Sequence, residues 1–262
     1  MELKNKKVLI TGGSAGIGKA IIKELIKHGV TDIAVVGRKQ EPLALLKTEL
    51  NAVNILTIQA DISVIEDVNK VVSVISREWG MVDILINSAG VVSAGLLTDQ
   101  SDEDVVDQVN INVTGLILLT KKTLPYLQKS EAGALINVSS GYGYIAMPFY
   151  SVYAATKAAV AQFSDAMRRE LFQYPIHVMT VYPSATDTGM MKTAVVAQMD
   201  RPEKVAEATI TGLIQKQINV ILGGKEMEEQ VKLNFLEPEK IDQVAADNFE
   251  NLRNRTKNHR SM

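Results

Sequence analysis

The stretch that most restricts the possible folds lies near the start of the chain. Lys7 to Thr11 reads as a short buried strand and Thr11-Gly-Gly-Ser-Ala-Gly-Ile-Gly18 follows at once. Ile17, Ala20, Ile21, Leu25 and Ile26 then recur at the spacing of one helical face. Strand, glycine loop and helix in that order open a parallel α/β sheet and build an anion site as they do so. Glycine lets the backbone approach a phosphate closely, and the helix N-terminus offers unpaired N–H groups at the positive end of its dipole. The spacing is Gly12-x-x-x-Gly16-x-Gly18, with Ser14 and Ile17 inside it. Residues 12–16 also satisfy G-x-S-x-G, the nucleophile elbow of serine hydrolases, in the required strand-turn-helix context. A hydrolase triad would need an acid followed by a histidine, for which His177 and His259 remain. The residues taken up below have no place in that reading.

Composition narrows the choices further. A chain of 262 residues is ordinary for one open sheet covered on both faces, and a net charge of −2 gives no reason to expect nucleic acid or an anionic membrane. Cysteine is absent, which excludes disulfides, thiolate metal sites and cysteine nucleophiles. His28, His177 and His259 are scattered, so no metal site is expected, and each reads as a surface or strand residue. Residues 1–7 are charged and lead straight into Val8-Leu9-Ile10 without a signal-peptide pattern, and no apolar run is long enough to span a bilayer. A cytoplasmic protein is expected.

Along the chain, strand and helix patterns alternate. The second strand, Asp32 to Gly37, ends beside Arg38. Ligands lie beyond the carboxyl ends of parallel strands, so Asp32 is badly placed for a ribose. Gly37 and Arg38 stand where an NAD site would keep an acid, and a guanidinium suits a 2′-phosphate. That charge argument favours NADP(H), with NAD(H) open. A third strand, Asn54 to Gln59, runs into Ala60-Asp61-Ile62, where Asp61 could reach an adenine amino group. A fourth, residues 81–86, runs into Asn87-Ser88-Ala89-Gly90, whose small residues allow close approach. Residues 102–129 read as one long helix capped by Ser101, broken or kinked at Leu124-Pro125, with Asn112 and Gly115 at mid-helix. The strand of residues 134–138 opens into Ser139-Ser140-Gly141, and Tyr153 comes thirteen residues after Ser140.

Tyr153 and Lys157 are four residues apart, which on a helix puts a phenol and an ammonium on one face. Free tyrosine, with a pKa of about 10, is nearly all protonated at neutral pH. Bringing it to roughly 7 takes about 4 kcal/mol of preferential phenolate stabilisation, more than one partly hydrated lysine normally supplies. A second positive charge is therefore expected, and an oxidised nicotinamide could provide it.

Thr11-Gly-x-x-x-Gly16-x-Gly18, Asp61, Asn87-x-Ala89-Gly90, Asn112, Ser140 and Tyr153-x-x-x-Lys157 together resemble the short-chain dehydrogenase/reductase family, in order and spacing, over residues 6–223. The resemblance implies a Rossmann-type, doubly wound parallel seven-stranded sheet with helices on both faces. It also implies a nicotinamide cofactor and interconversion of a ketone or aldehyde with an alcohol. By position it makes Asn112, Ser140, Tyr153 and Lys157 the catalytic tetrad. Tyr153 would exchange the proton, Ser140 would stabilise the carbonyl oxygen, Lys157 would lower the tyrosine pKa and hold the nicotinamide ribose, and Asn112 would anchor a relay water. For the cofactor it implies Gly12, Ser14, Gly16, Ile17, Gly18, Arg38, Asp61, Ile62, Asn87, Ala89, Gly90, Tyr153, Lys157, Pro183, Ala185 and Thr188. Ser88 and Ser184 depart from the family pattern, and Ser184 puts the backbone beside the nicotinamide in question. A dinucleotide-binding sensor without turnover is the alternative, which the paired tyrosine and lysine argue against.

For the substrate, Ser140, Tyr142, Phe149, Tyr153 and Met190 are the candidates, with Tyr144 and Met147 nearby. The segment from Gly189 to Met199 is expected to form a mobile lid, its methionines suiting an adaptable apolar pocket. The helix over residues 150–172 implies, again by resemblance, a homodimer or homotetramer. A first unit, residues 1–224, would then bind cofactor and substrate. Residues 225–262 read as a charged helical extension, not an independent domain. There Ile241, Val244, Ala245, Phe249 and Leu252 form one apolar stripe, ended by Arg253, Arg255, Lys257 and Arg260. Docking against the parent domain or a sister subunit is expected, and membrane attachment is not.

Overall fold

The computed structural model describes residues 1–196 and 198–262. Its elements run β1 (Lys7–Thr11), α1 (Gly16–Lys27), β2 (Asp32–Gly37), α2 (Gln40–Glu49), β3 (Asn54–Gln59), α3 (Ile65–Glu78), β4 (Ile84–Asn87), α4 (Asp102–Val109) and α5 (Leu116–Leu127). They continue β5 (Gly133–Val138), α6 (Ser151–Glu170), β6 (Ile176–Tyr182), α7 (Pro202–Ile214), β7 (Asn219–Ile221), α8 (Gly224–Leu236), α9 (Pro238–Asp247) and α10 (Phe249–Thr256). The strands form one sheet in the order β3-β2-β1-β4-β5-β6-β7, every pair parallel. Parallel strands need crossovers, which here carry helices to both faces, so the central strands are buried on both sides and mostly apolar, and only the edge strands β3 and β7 have exposed residues.

Alternation along each strand divides the core in two. Val8 and Ile10, Ile84 and Ile86, and Met179 and Val181 pack with Ile21, Leu25, Leu43, Ile210 and Leu213, under α1, α2 and α7. Leu9, Leu85, Leu135 and Val178 point the other way, to Val68, Val71, Leu119 and Met167 on α3, α5 and α6. Strand order reverses between β1 and β4, and a crevice opens there above the carboxyl ends, where ligands bind in sheets of this kind.

The helix read over residues 102–129 is three pieces. Ser101 caps α4 as expected, its Oγ accepting from the Asp104 N–H at 3.1 Å. A π-turn, Asn110–Gly115, then separates α4 from α5. A Cβ on Gly115 would lie 2.5 Å from the Ile62 carbonyl oxygen, so only glycine lets this helix lie so close to the end of β3. Of the break or kink expected at Leu124-Pro125, there is no break, since α5 continues through Pro125 to Leu127.

The apolar stripe of the C-terminal segment is likewise divided. Asn248 leaves helical geometry between α9 and α10, and its side-chain amide donates back to the Val244 carbonyl at 2.9 Å. The stripe faces the chain's own domain in part: Ile241 is buried and Phe249 packs on Phe149 with ring centroids 5.0 Å apart, while Val244 stays half exposed. Beyond α10 the chain crosses the region after β4. The Arg260 guanidinium grips the Asp104 carboxylate at 2.8 and 2.9 Å, and Ala94 donates its N–H to the His259 carbonyl at 2.9 Å. Among the described residues, no helix is long and apolar enough to cross a membrane.

Candidate active site

The crevice is a cleft of about 810 Å³ running from the glycine loop to the C-terminal helices. At one end lie Gly12, Gly16, Ile17 and Gly18, with Arg38 and Lys39 beside them. Gly12 has φ +68°, and a Cβ there would come 2.9 Å from the backbone of Ala89, so the β1 and β4 loops can meet only across a glycine. The Thr11 hydroxyl accepts from the N–H groups of Ser88 and Ala89, both at 3.1 Å, and pins the two loops together. A pyrophosphate fits the N-terminus of α1, whose first turn carries no acidic side chain. Lys39, directly after Arg38, was not among the expected cofactor residues and adds a second basic group at this end of the cleft.

At the other end, Ser140, Tyr153 and Lys157 converge with Tyr142 and Tyr150. Strand β5 delivers Ser140 at its carboxyl end, and α6 presents Tyr153 and Lys157 from successive turns. Lys157 is buried, and its ammonium donates to the Val138 carbonyl at 3.0 Å and lies 5.7 Å from the Tyr153 ring centroid. Burial pushes the lysine pKa down to about 8, which still leaves it mostly charged at neutral pH. The Tyr153 side chain is only partly covered, yet burial of its phenol pushes that pKa up to about 12, against the opposing pull of a hydrogen bond with Ser140. Tyr153 therefore holds its proton at neutral pH.

Asn112 leans out of the π-turn and is fully engaged. Its Oδ1 accepts from the Val91 N–H at 2.8 Å, and its Nδ2 donates to the Val91 carbonyl at 2.9 Å and to the Thr156 hydroxyl at 3.1 Å. A Cβ built on Gly90 would sit 3.3 Å from Asn112 Oδ1 and 3.4 Å from Lys157 Nζ, so the two groups flank one spot.

The remaining sequence candidates divide. Ala89, Gly90, Pro183, Ala185, Thr188, Tyr142, Met147 and Met190 line the cleft. Asn87 is buried beneath it, donating to Thr120 at 3.0 Å and Asn137 at 2.8 Å, so its amide ties the sheet to α5. Asp61 turns onto its own loop, accepting from the Ser63 N–H and hydroxyl at 2.9 and 2.6 Å, and Ile62 is in the core. Ser14 sits beside Gly37, outside the lining. Tyr144 stacks on Tyr182 at 4.2 Å, and Phe149 packs on Phe249, so neither faces the cleft. Ser184 does not adopt positive φ, and its hydroxyl holds Asp200 at 2.5 Å, so serine is accommodated there. The expected lid begins with a short turn, Gly189–Met191, and Met190 and Met191 reach the cleft; residue 197 of that segment lies outside the described residues.

The C-terminal segment contributes a side of the cleft that the sequence did not reveal, through Val244, Ala245, Leu252, Arg255 and His259. His259, read as a surface or strand residue, is instead buried. Its Nδ1 lies 2.9 Å from the Tyr150 hydroxyl and its Nε2 3.1 Å from the Met190 carbonyl, and burial holds its pKa below the usual value.

A family model described as short chain dehydrogenase matches residues 6–199. An uncharacterized oxidoreductase of Staphylococcus epidermidis is 30% identical over 216 residues, which cover 82% of this chain and 93% of that protein. A short-chain dehydrogenase from Sphingobium yanoikuyae, solved in complex with NADPH, aligns at 27% identity over 90% of this chain and 95% of the other, with a TM-score of 0.79. One from Burkholderia cenocepacia J2315, solved in complex with NADP, aligns at 28% identity over 84% and 96%, with a TM-score of 0.74. With the model spanning most of the sheet and the tyrosine and lysine at its carboxyl edge, the chain belongs to the short-chain dehydrogenase family of oxidoreductases.

Proposed function

We propose that this chain interconverts a ketone or aldehyde and an alcohol by hydride transfer, with NADP(H) as its preferred cofactor and Tyr153 as the general acid and base. The observation that carries this is the convergence of Ser140, Tyr153 and Lys157 at one end of a cleft whose other end is a glycine loop at a helix N-terminus. NADPH and NADP in the two solved relatives support the cofactor class. Arg38 and Lys39 support the 2′-phosphate, since two cations and no acid stand at the end of β2.

When bound, the nicotinamide supplies or takes the hydride, and in its oxidised form it brings a positive charge. The protein's own part is proton chemistry and positioning. In reduction, as the carbonyl carbon accepts hydride, the C=O pair moves to oxygen and the Tyr153 O–H proton follows it, leaving alcohol and phenolate. The Ser140 hydroxyl donates to the same oxygen while charge develops on it. The Lys157 ammonium, close to the ring, stabilises the phenolate left behind. Reprotonation can run through a water at the spot beside Gly90, which both Lys157 and Asn112 flank. In oxidation each step reverses, and Tyr153 must first lose its proton.

Mixing the protein with NADPH and a panel of ketones and aldehydes, and following loss of nicotinamide absorbance, tests the reading. It requires enzyme-dependent turnover of at least one carbonyl compound. NADPH binding without turnover across the panel would return the chain to the sensor alternative.

A further inference from the structure

The substrate end of the cleft holds a cation with no established use. Arg255, from the last turn of α10, lines the cleft with its guanidinium carbon 5.9 Å from the centroid of the Tyr150 ring. The Tyr150 ring in turn lies 6.3 Å from that of Tyr153 and 4.7 Å from that of Tyr142. The guanidinium is thus one aromatic ring away from the proposed proton donor.

Three observations bear on what it is for. Arg255 Nε is buried and has no hydrogen-bond partner. No ion pair among the described residues, the terminal carboxyl of Met262 included, reaches Arg255, whereas its neighbours Arg253 and Arg260 pair with Glu250 and Asp104. The cleft itself has no aspartate or glutamate among its described lining residues, although Arg38, Lys39, Lys157 and Arg255 all line it. The side chain as a whole is only partly covered and its guanidinium lies against Tyr150, but leaving a buried donor such as Nε unmatched is costly, and arginine cannot relieve the cost by losing its proton. Such a group is retained where something else completes it. Around it the cleft is mixed: Tyr150, Asn248 and His259 are polar, and Met147, Met190, Val244 and Leu252 supply apolar lining.

We infer that Arg255 is the anchor for a carboxylate on the substrate, so that the enzyme acts on an amphipathic oxo acid or the corresponding hydroxy acid. The planar guanidinium offers paired N–H donors matched to the two oxygens of a carboxylate, and the methionines and Leu252 accommodate an apolar body between carboxylate and carbonyl. The C-terminal helices thereby set specificity. The inference rests on the oxidoreductase reading above and adds the substrate class to it.

The test compares levulinate and 4-acetylbenzoate, in which two methylenes or a benzene ring separate carboxylate from ketone, with their methyl esters, as substrates with NADPH and as ligands titrated calorimetrically in the presence of NADP+. The wild type should favour at least one acid over its ester by about tenfold or more in kcat/KM. In Arg255→Met that ratio should fall to about one, and Arg255→Lys, which keeps charge without the fork, should restore part of it. A packing role alone predicts a lower melting temperature in Arg255→Met with the ratio intact, and that result overturns the inference. So does a wild type that neither binds nor turns over either acid, or that prefers the esters. The two readings separate cleanly. Turnover without preference for acids sinks only the anchor. Acids that bind the wild type at least about tenfold more tightly than Arg255→Met, without turnover of any carbonyl compound, sink only the oxidoreductase reading and leave the anion site standing.

Discussion

Replacing Lys157 by methionine keeps most of the volume of a buried side chain and removes its charge, so the fold should gain stability as the site loses its chemistry. Burial holds the lysine at about 8, where the unfolded chain has the usual value near 10.4. That gap corresponds to about 3 kcal/mol of destabilisation at neutral pH. The hydrogen bond to the Val138 carbonyl is lost with the charge, which returns about 1 kcal/mol. Lys157→Met should therefore be about 2 kcal/mol more stable than the wild type at pH 7. The sign of the pH dependence follows from the depressed value of a base. Between about pH 8 and pH 10.4 the unfolded chain binds more protons than the folded one, so wild-type stability rises with pH across that window. The variant's advantage should shrink by about 2 kcal/mol between pH 7 and pH 9.5. Tyr153, pushed up to about 12, makes stability fall again as pH passes about 10, the unfolded tyrosine value, so the comparison stops at pH 9.5. Urea unfolding at the two pH values, with equal slopes in both proteins, measures the difference. A gap that does not change with pH, or a variant less stable at pH 7, would refute the reasoning.

Two further variants, one single and one double, separate structural from binding roles. Asn87→Ala leaves Asn137 Oδ1 without the amide that donates to it, deep in the sheet, and should cost about 2–3 kcal/mol in urea unfolding while changing the NADPH dissociation constant less than about threefold; the opposite pattern would make Asn87 a cofactor ligand. Replacing Arg38 and Lys39 together by alanine should weaken NADPH binding by about tenfold or more at low salt and leave NADH nearly unaffected. Equal losses for both cofactors would contradict a 2′-phosphate site there.

What could be read from sequence was whatever is encoded locally. A strand followed at once by glycines and a helix fixes where β1 ends and α1 begins, and four-residue spacing puts Tyr153 and Lys157 on one face of α6. Alternating strand and helix patterns carried the sheet, since its central strands are buried on both sides and mostly apolar, while the edge strands β3 and β7 are exposed at their ends. The π-turn was half visible, as an asparagine and a glycine that a regular helix would not favour; its reason, the approach to Ile62, is a contact between distant segments. The C-terminal segment shows the limit most plainly. Its apolar stripe said that a face would be covered, but periodicity does not say by what. The break at Asn248 and the return of His259 and Arg255 to the catalytic end depend on tertiary contacts with Phe149, Tyr150 and Asp104. For the same reason Asn87, Asp61 and Phe149, which lie beside the cleft in sequence, turn away from it in space.

If the phenol at position 153 is what moves the proton, deleting that one oxygen must stop the chemistry and spare the binding. Tyr153→Phe, assayed by NADPH oxidation with the best carbonyl substrate and by fluorescence titration of NADPH, should lose about a thousandfold in kcat/KM while the dissociation constant stays within about threefold. Turnover within about tenfold of the wild type would contradict the account.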